Sequence, residues 1–353
     1  MNNNTLHWSY RDFRQFPEDL LEHIENVEEI YLKENFIPSI PEWLFEFTNL
    51  RFIHLGGNML KTIPDGICLL ANLEFLDVSK NQISELPPTF TLMTKLCRFN
   101  CSDNKITEIT KDIGKMVNLE TLDFSKNLLT KIPTELANCV HLNELLFNDN
   151  KIVQIPTKII TLPELEVFEA DGCSLEYLPG IVSKMLTHVR VFNNSRLTYY
   201  PVIYEKFLKL HYDYWSESVV SADVMMIFLP DQSKRTTLPN GMRKIHLPTT
   251  RTPHSLVELG LKALYSSLTF CQTVCDNLDD GMFPREIQAR IMDGPATKCG
   301  NDACSSLLFT ECYFLLLKKN KSLSHIIFSN MFCSMDCTNR WLNLYKEKYH
   351  KIN

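Results

Sequence analysis

The stretch "LETLDFSKNLL", Leu119 to Leu129, decides how this chain is read. It returns as "LEFLDVSKNQI" from Leu73 and as "LRFIHLGGNML" from Leu50, which reduces to the pattern L-x-x-L-x-L-x-x-N-x-L. Apolar residues at alternate positions suit a short strand with one buried face, and the asparagine suits a tight turn out of it. A pattern repeated at a fixed interval means that each copy is one supersecondary unit, which buries its apolar face only against the next copy.

The interval is regular. The asparagine falls at Asn35, Asn58, Asn81, Asn104, Asn127 and Asn150, always 23 residues apart. Cys173 takes the next place, and Asn194 closes a shortened eighth unit. Most units carry an Ile-Pro or Leu-Pro step, at Pro41, Pro64, Pro87, Pro133, Pro156 and Pro179. Proline ends strand pairing there and starts the return segment. The half-unit "LHWSYRDFRQFP", from Leu6, reads as an N-terminal cap.

This pattern resembles the leucine-rich repeat over roughly residues 5 to 201. The resemblance implies an α/β solenoid, a horseshoe with a parallel sheet on its concave face, and a protein-binding rather than a catalytic role. The expected organisation is a repeat domain over 1–201, an irregular or β-rich cap or insertion over 202–250, and a small α+β module over 251–353.

In register, one concave column reads Tyr31, His54, Asp77, Asn100, Asp123, Leu146, Glu169 and Arg190. Its neighbour reads Glu29, Phe52, Phe75, Arg98, Thr121, Glu144, Val167 and His188. Phe52, His54, Phe75, Asp77, Arg98, Asp123, Glu144 and Glu169 are the candidate contacts to a protein ligand. The first 200 residues hold 18 basic and 27 acidic groups, so a partner with a basic, partly apolar surface is expected.

Composition narrows the classes. The chain has 353 residues, with 36 basic and 42 acidic groups, a net charge of −6, which argues against a simple polybasic nucleic-acid binder. In residues 251–353 the count is 12 basic against 10 acidic, and the Lys318, Lys319, Lys321 cluster has no aromatic stripe beside it, so no nucleic acid is expected. No basic segment with an apolar run opens the chain, and no apolar run approaches about 20 residues, so neither secretion nor membrane insertion is expected. The expected location is the cytoplasm, with the nucleus open, and the twelve cysteines are expected as thiols or metal ligands. The ten histidines are dispersed, and the paired Gly56 and Gly57 lie on a repeat strand rather than in a phosphate loop, so no enzyme activity is expected.

The last hundred residues carry two further signals. "SLVELGLKALYSSL", Ser255 to Leu268, has helical spacing and two apolar stripes, one through Leu256, Leu259, Gly260, Ala263 and Leu264, the other through Val257, Leu261, Leu264 and Leu268. Ser255 suits the N-cap, with Glu258 three residues on. A second helix is expected at "FPREIQARIM", from Phe283, with Pro284 in its first turn. The second signal is "CGNDAC" and "FCSMDC", which place Cys299 with Cys304 and Cys333 with Cys337 around two apolar strands, with a helix after the last cysteine. Knuckle, hairpin, then cysteine at a helix start is the order of a treble-clef-like site, and four thiolates suit a structural zinc. Cys312 is expected in the hairpin core, and Cys271 and Cys275 in helix packing.

The sequence "YRDFRQFP", the array, "SRLTYYPVIY", "LVELGLKALY", "FPREI" and "FCSMDC", in that order, resembles the family of leucine-rich repeat-containing protein 28, with its relative protein 58. The first cysteine pair departs from it in its spacing. The tail also resembles a SOCS box, whose first helix has the form Ser/Thr-Leu-x-x-x-small-x-x-x-aliphatic. Ser255, Leu256, Gly260 and Leu264 match that form, and Pro284 matches the cullin-facing segment weakly, because a doubled proline is missing. This resemblance implies contact with elongin C and a cullin, and the role of substrate-recognition subunit in a cullin–RING ubiquitin ligase. The alternative from the residues alone is a signalling scaffold that binds a small GTPase or another protein, with the tail as a structural cap.

Overall fold

The computed structural model describes residues 4–197, 199–212, 244–246, 254–266, 287, 295–304, 306–319 and 327–351. It divides into two compact units. One holds residues 1–153, 162–174 and 183–194; the other holds 154–161, 175–182 and 195–353.

The first unit is a leucine-rich repeat solenoid. Nine three-residue strands form one parallel sheet in chain order: β1 (Thr5–His7), β2 (Glu29–Tyr31), β3 (Phe52–His54), β4 (Phe75–Asp77), β5 (Arg98–Asn100), β6 (Thr121–Asp123), β7 (Glu144–Leu146), β8 (Val167–Glu169) and β9 (His188–Arg190). From β2 to β9 each strand turns its middle residue inward: Ile30, Ile53, Leu76, Phe99, Leu122, Leu145, Phe168 and Val189 are all buried. Single turns of tight 3-10 helix return the chain, four of them directly after Pro41, Pro64, Pro87 and Pro133. Where proline is missing, the Thr110 hydroxyl accepts from the Asp112 N–H at 3.3 Å and starts the turn instead.

The asparagine ladder supplies hydrogen bonds that three-residue strands leave unmade. Asn127 Nδ2 donates to the carbonyls of Cys101 at 2.9 Å and Phe124 at 3.0 Å, and its Oδ1 accepts from the Ile106 N–H at 2.9 Å. Asn58, Asn81, Asn104 and Asn150 repeat this arrangement, joining each unit to its neighbour. Cys173 takes the same place with a sulfur, its Sγ donating to the Phe147 carbonyl at 3.3 Å and accepting from the Ile152 N–H. The residue before each of these positions sits at positive φ: Glu34, Gly57, Lys80, Asp103, Lys126, Asp149, Gly172 and Asn193. Only two are glycine, so the ladder holds six side-chain-bearing residues in a left-handed conformation.

In the second unit α1 (Thr157–Ile160) follows Pro156, and β10 (Tyr200–Pro201) leads through a 3-10 turn into α2 (Glu205–Tyr212). The expected β-rich segment over 202–250 thus opens as helix and returns as one strand, β11 (Lys244–His246); its remainder lies outside the described residues. After α3 (Leu256–Ser266) come β12 (Thr297–Lys298), β13 (Leu307–Leu308), β14 (Glu311–Lys319), β15 (Ile327–Phe332), α4 (Met335–Tyr345) and β16 (Tyr349–Lys351). β14 and β15 form the antiparallel pair foreseen in "SSLLFTECYFLLL" and "SHIIFSNMF". β11 and β16 take the two ends of the other edge of β14, and β10 pairs in parallel with β15. Cys312 is fully buried here, among Tyr177, Tyr199, Leu308, Phe314 and Met331.

Candidate functional site

The concave columns align in the register read from the sequence: Phe52 pairs with Phe75, Phe75 with Arg98, His54 with Asp77, Thr121 with Glu144. Their chemistry is graded along the sheet. The first strands carry a ring ladder, with Tyr31 stacked on His7 at 4.6 Å and on His54 at 4.2 Å, and His54 against Phe75 at 4.6 Å. Arg98 lies 5.5 Å from the centre of the Phe75 ring. Burial, and then the nearby Lys33 ammonium, lower the pKa of His54 to about 4, so this imidazole is neutral at neutral pH.

The acidic residues divide. Asp77 is buried and engaged within the fold, with Lys33 Nζ at 2.7 Å and the Ser79 hydroxyl at 2.7 Å. Burial pushes its carboxyl up, and the bonds from Lys33 and Ser79 outweigh that and hold it below the usual range. Glu169 accepts from Asn148 at 2.7 Å and faces His188 at 3.1 Å. Asp123 takes the Ser125 N–H at 2.8 Å and is raised by burial. Asp123 and Glu144 are half-buried on the same sheet face as the ring ladder.

Helix α3 is capped as its sequence implies: the Ser255 hydroxyl accepts from the Glu258 N–H at 3.2 Å. Its stripes differ in exposure. Leu261 is buried, whereas Leu256 is 87% and Leu259 49% exposed, and Val257, assigned to the buried stripe, is 36% exposed. A Cβ built on Gly260 would meet nothing within 4 Å. Leu264 lies within the helix; its side chain, like Leu268, Pro284 and the expected second helix except Ile287, is outside the described residues.

Glu258, read from the sequence only as the residue three after the Ser255 cap, does more than cap. Its carboxylate is fully buried and accepts the N–H groups of Phe309, Thr310 and Glu311 and the Thr310 hydroxyl at 2.8 Å, with Lys262 Nζ at 3.3 Å. Glu258 thus serves as the polar anchor of α3 on the turn that starts β14. Its place three residues after the Ser255 cap was legible; the orphan donors it meets lie about 50 residues away.

The four cysteines named from their spacing converge. Their sulfurs lie within 4.8 Å of one another, with Cys304 to Cys333 at 3.6 Å and Cys333 to Cys337 at 3.7 Å. Tetrahedral zinc with bonds of about 2.3 Å requires sulfurs about 3.8 Å apart, and a disulfide would bring a pair to about 2.05 Å. The β12–β13 pair carries Cys299, β15 leads into Cys333, and Ser334 caps α4 by accepting the Cys337 N–H at 3.2 Å. Asn301 Nδ2 points at Cys337 Sγ, 3.3 Å away. Crowding by Cys299, then burial, raises the Cys333 thiol, and burial raises Cys304. A divalent cation reverses that balance, because a coordinating thiol is deprotonated outright. The donor set therefore fits a closed structural metal site, with no open position for catalysis. Among the described residues it is the one such group, and no described helix is long and apolar enough to cross a membrane.

Comparisons with known proteins concern the repeats. A family model described as "Leucine-rich repeat region" matches residues 41–130. No curated protein matches the chain. Among solved structures, a leucine-rich repeat protein of Leptospira interrogans is 20% identical over 56% of this chain and 62% of that one, with a TM-score of 0.39. An internalin C2 of Listeria monocytogenes is 22% identical over 54% and 80%, with a TM-score of 0.47. The plant peptide hormone receptor RGFR1, in complex with RGF2, is 23% identical over 54% and 32%, with a TM-score of 0.48. The chain spans less than two thirds of the length of the Leptospira and plant structures.

Proposed function

We propose that this chain is a non-enzymatic interaction protein that holds a protein ligand on its concave columns and docks onto elongin C through α3, as the substrate-recognition subunit of a cullin–RING ubiquitin ligase. The observation that carries the docking half is Leu256, 87% exposed at the start of a well-capped helix. A leucine buried from that state gains about 1.5–3 kcal/mol. Gly260, one turn along, supports it: glycine costs a helix about 1 kcal/mol against alanine, yet nothing in the described chain crowds that position. A small residue there has its use in the close approach of another molecule. Glu258 and Leu261 hold the opposite side of the helix, so the exposed stripe is presented on a fixed base.

On the concave face the ligand would meet the ring ladder of Tyr31, His54 and Phe75 first, then Asp123 and Glu144, which favours a partner with aromatic or aliphatic groups beside basic ones. The zinc held by Cys299, Cys304, Cys333 and Cys337 is structural in this reading, a staple for a short module. Purification of the tagged full chain from cells, with mass spectrometry of what accompanies it, tests both halves. Elongin C together with a cullin and a further protein is the expected result; a further protein without elongin C leaves only the scaffold reading.

A further inference from the structure

We infer that His254 is a positioning residue that couples the four-thiol site to α3, so that the helix keeps its presenting position only while the metal is bound. This rests on the docking role proposed for α3 and names what regulates it.

Two anchors hold the start of α3, and each reaches a segment next to metal ligands. His254, two residues before the helix, puts Nε2 2.7 Å from the backbone carbonyl of Cys333. A carbonyl only accepts, so Nε2 carries the proton. The opposite ring nitrogen faces the Glu311 carboxylate at 3.5 Å, and that carboxylate accepts the Ser255 N–H at 3.1 Å. The second anchor is Glu258, bound to the N–H groups of Phe309, Thr310 and Glu311. That turn follows β13, and β13 pairs with β12, which ends beside Cys299. The start of α3 therefore bridges the knuckle of Cys299 and Cys304 and the hairpin end that carries Cys333 and Cys337.

Little else fixes those two halves against each other. β12 and β13 have two residues each. The knuckle meets the hairpin end through the Gly300 N–H on the Met331 carbonyl at 2.7 Å and the Asn301 amide on Cys337 Sγ. A closed four-sulfur site carries much of the folding free energy of a small module, so the ion sets where Cys333 lies. When the ion leaves, the Cys333 carbonyl is free to move. The imidazole is a short, rigid plate, so it cannot follow that carbonyl and stay beside Glu311. The loss falls on the residues next to it in the chain, Ser255 and Leu256, where the exposed stripe begins. Linkage runs both ways: a partner that binds the held helix tightens the metal by the same factor.

Hydrogen exchange with mass spectrometry on the full chain tests this, with zinc bound and after chelation in reducing buffer. Without zinc the amides of 255–266 are expected to exchange at least tenfold faster, while those of β4–β6 are unchanged. His254→Leu separates coupling from collapse of the module. It should keep one zinc per chain, yet exchange at 255–266 as fast as the zinc-free parent. His254→Gln, whose amide can donate to the same carbonyl, should recover most of the protection. Exchange at 255–266 that ignores zinc, full protection in zinc-loaded His254→Leu, or loss of zinc from that variant overturns the coupling. Exchange is read on the isolated chain, so this outcome is independent of elongin C capture, which tests the docking role alone.

Discussion

The Glu258 carboxylate accepts the Thr310 N–H at 2.5 Å, joining the first turn of α3 to a turn 52 residues further along the chain. This carboxylate also takes two more N–H groups and a hydroxyl, and Lys262 balances its charge. Removing a charged acceptor from buried donors leaves those donors unsatisfied. Glu258→Ala is therefore expected to destabilise the second unit by about 3 kcal/mol. Glu258→Gln, which keeps an acceptor oxygen, should cost less. Limited proteolysis and urea unfolding check the order; equal stability of the Ala variant and the parent would refute the anchor.

The asparagine ladder predicts a second loss. Asn127→Ala leaves the Ile106 N–H and the carbonyls of Cys101 and Phe124 unpaired in the interior. A loss of about 2–3 kcal/mol of repeat-domain stability is expected from denaturant unfolding. Cys173→Asn, by contrast, restores a residue type the other repeats use and should be neutral or stabilising.

His54 makes the repeat domain sensitive to mild acid. An unfolded histidine titrates near 6.5, and in the fold burial and Lys33 lower His54 to about 4. Below pH 6.5 the unfolded chain takes up a proton that the folded chain refuses until about pH 4. Stability therefore falls as pH drops through that window and returns as pH rises. His54→Gln should flatten this dependence between pH 6.5 and 4, and an NMR titration of the ring should place its midpoint near 4. A midpoint near 6.5 would contradict the buried, neutral ladder.

The four thiols predict one zinc per chain in protein purified under reducing conditions. Cys333→Ser should abolish stoichiometric metal, and chelation should expose the β14–β15 pair and α4 to protease while the repeats stay folded. Metal content near zero in the parent chain would remove the site.

Much of this was legible in the residues, for different reasons in different places. The solenoid and its strand register follow from the 23-residue interval, because a short strand in a stack has one inward face and Asn58, Asn81 and Asn104 mark it each time. The cysteine cluster was legible because four thiols around a hairpin have few other arrangements that satisfy a metal. The left-handed residues before the asparagines were not, since Glu34, Lys80, Asp103 and Lys126 mix acidic and basic side chains and the conformation is imposed by the ladder itself. Asp77 read as a ligand contact because nothing in its own repeat announces Lys33, two strands away.

The measurement that bears most directly on the proposed role is co-purification of elongin C with the full chain and with Leu256→Asp, both expressed alongside elongins B and C. Leu256 is 87% exposed, so the substitution should leave the fold and the metal content unchanged. The account predicts stoichiometric elongin C with the parent chain and at least a hundredfold weaker capture by the Asp variant. Elongin C absent from the parent, or retained by Leu256→Asp, would contradict it.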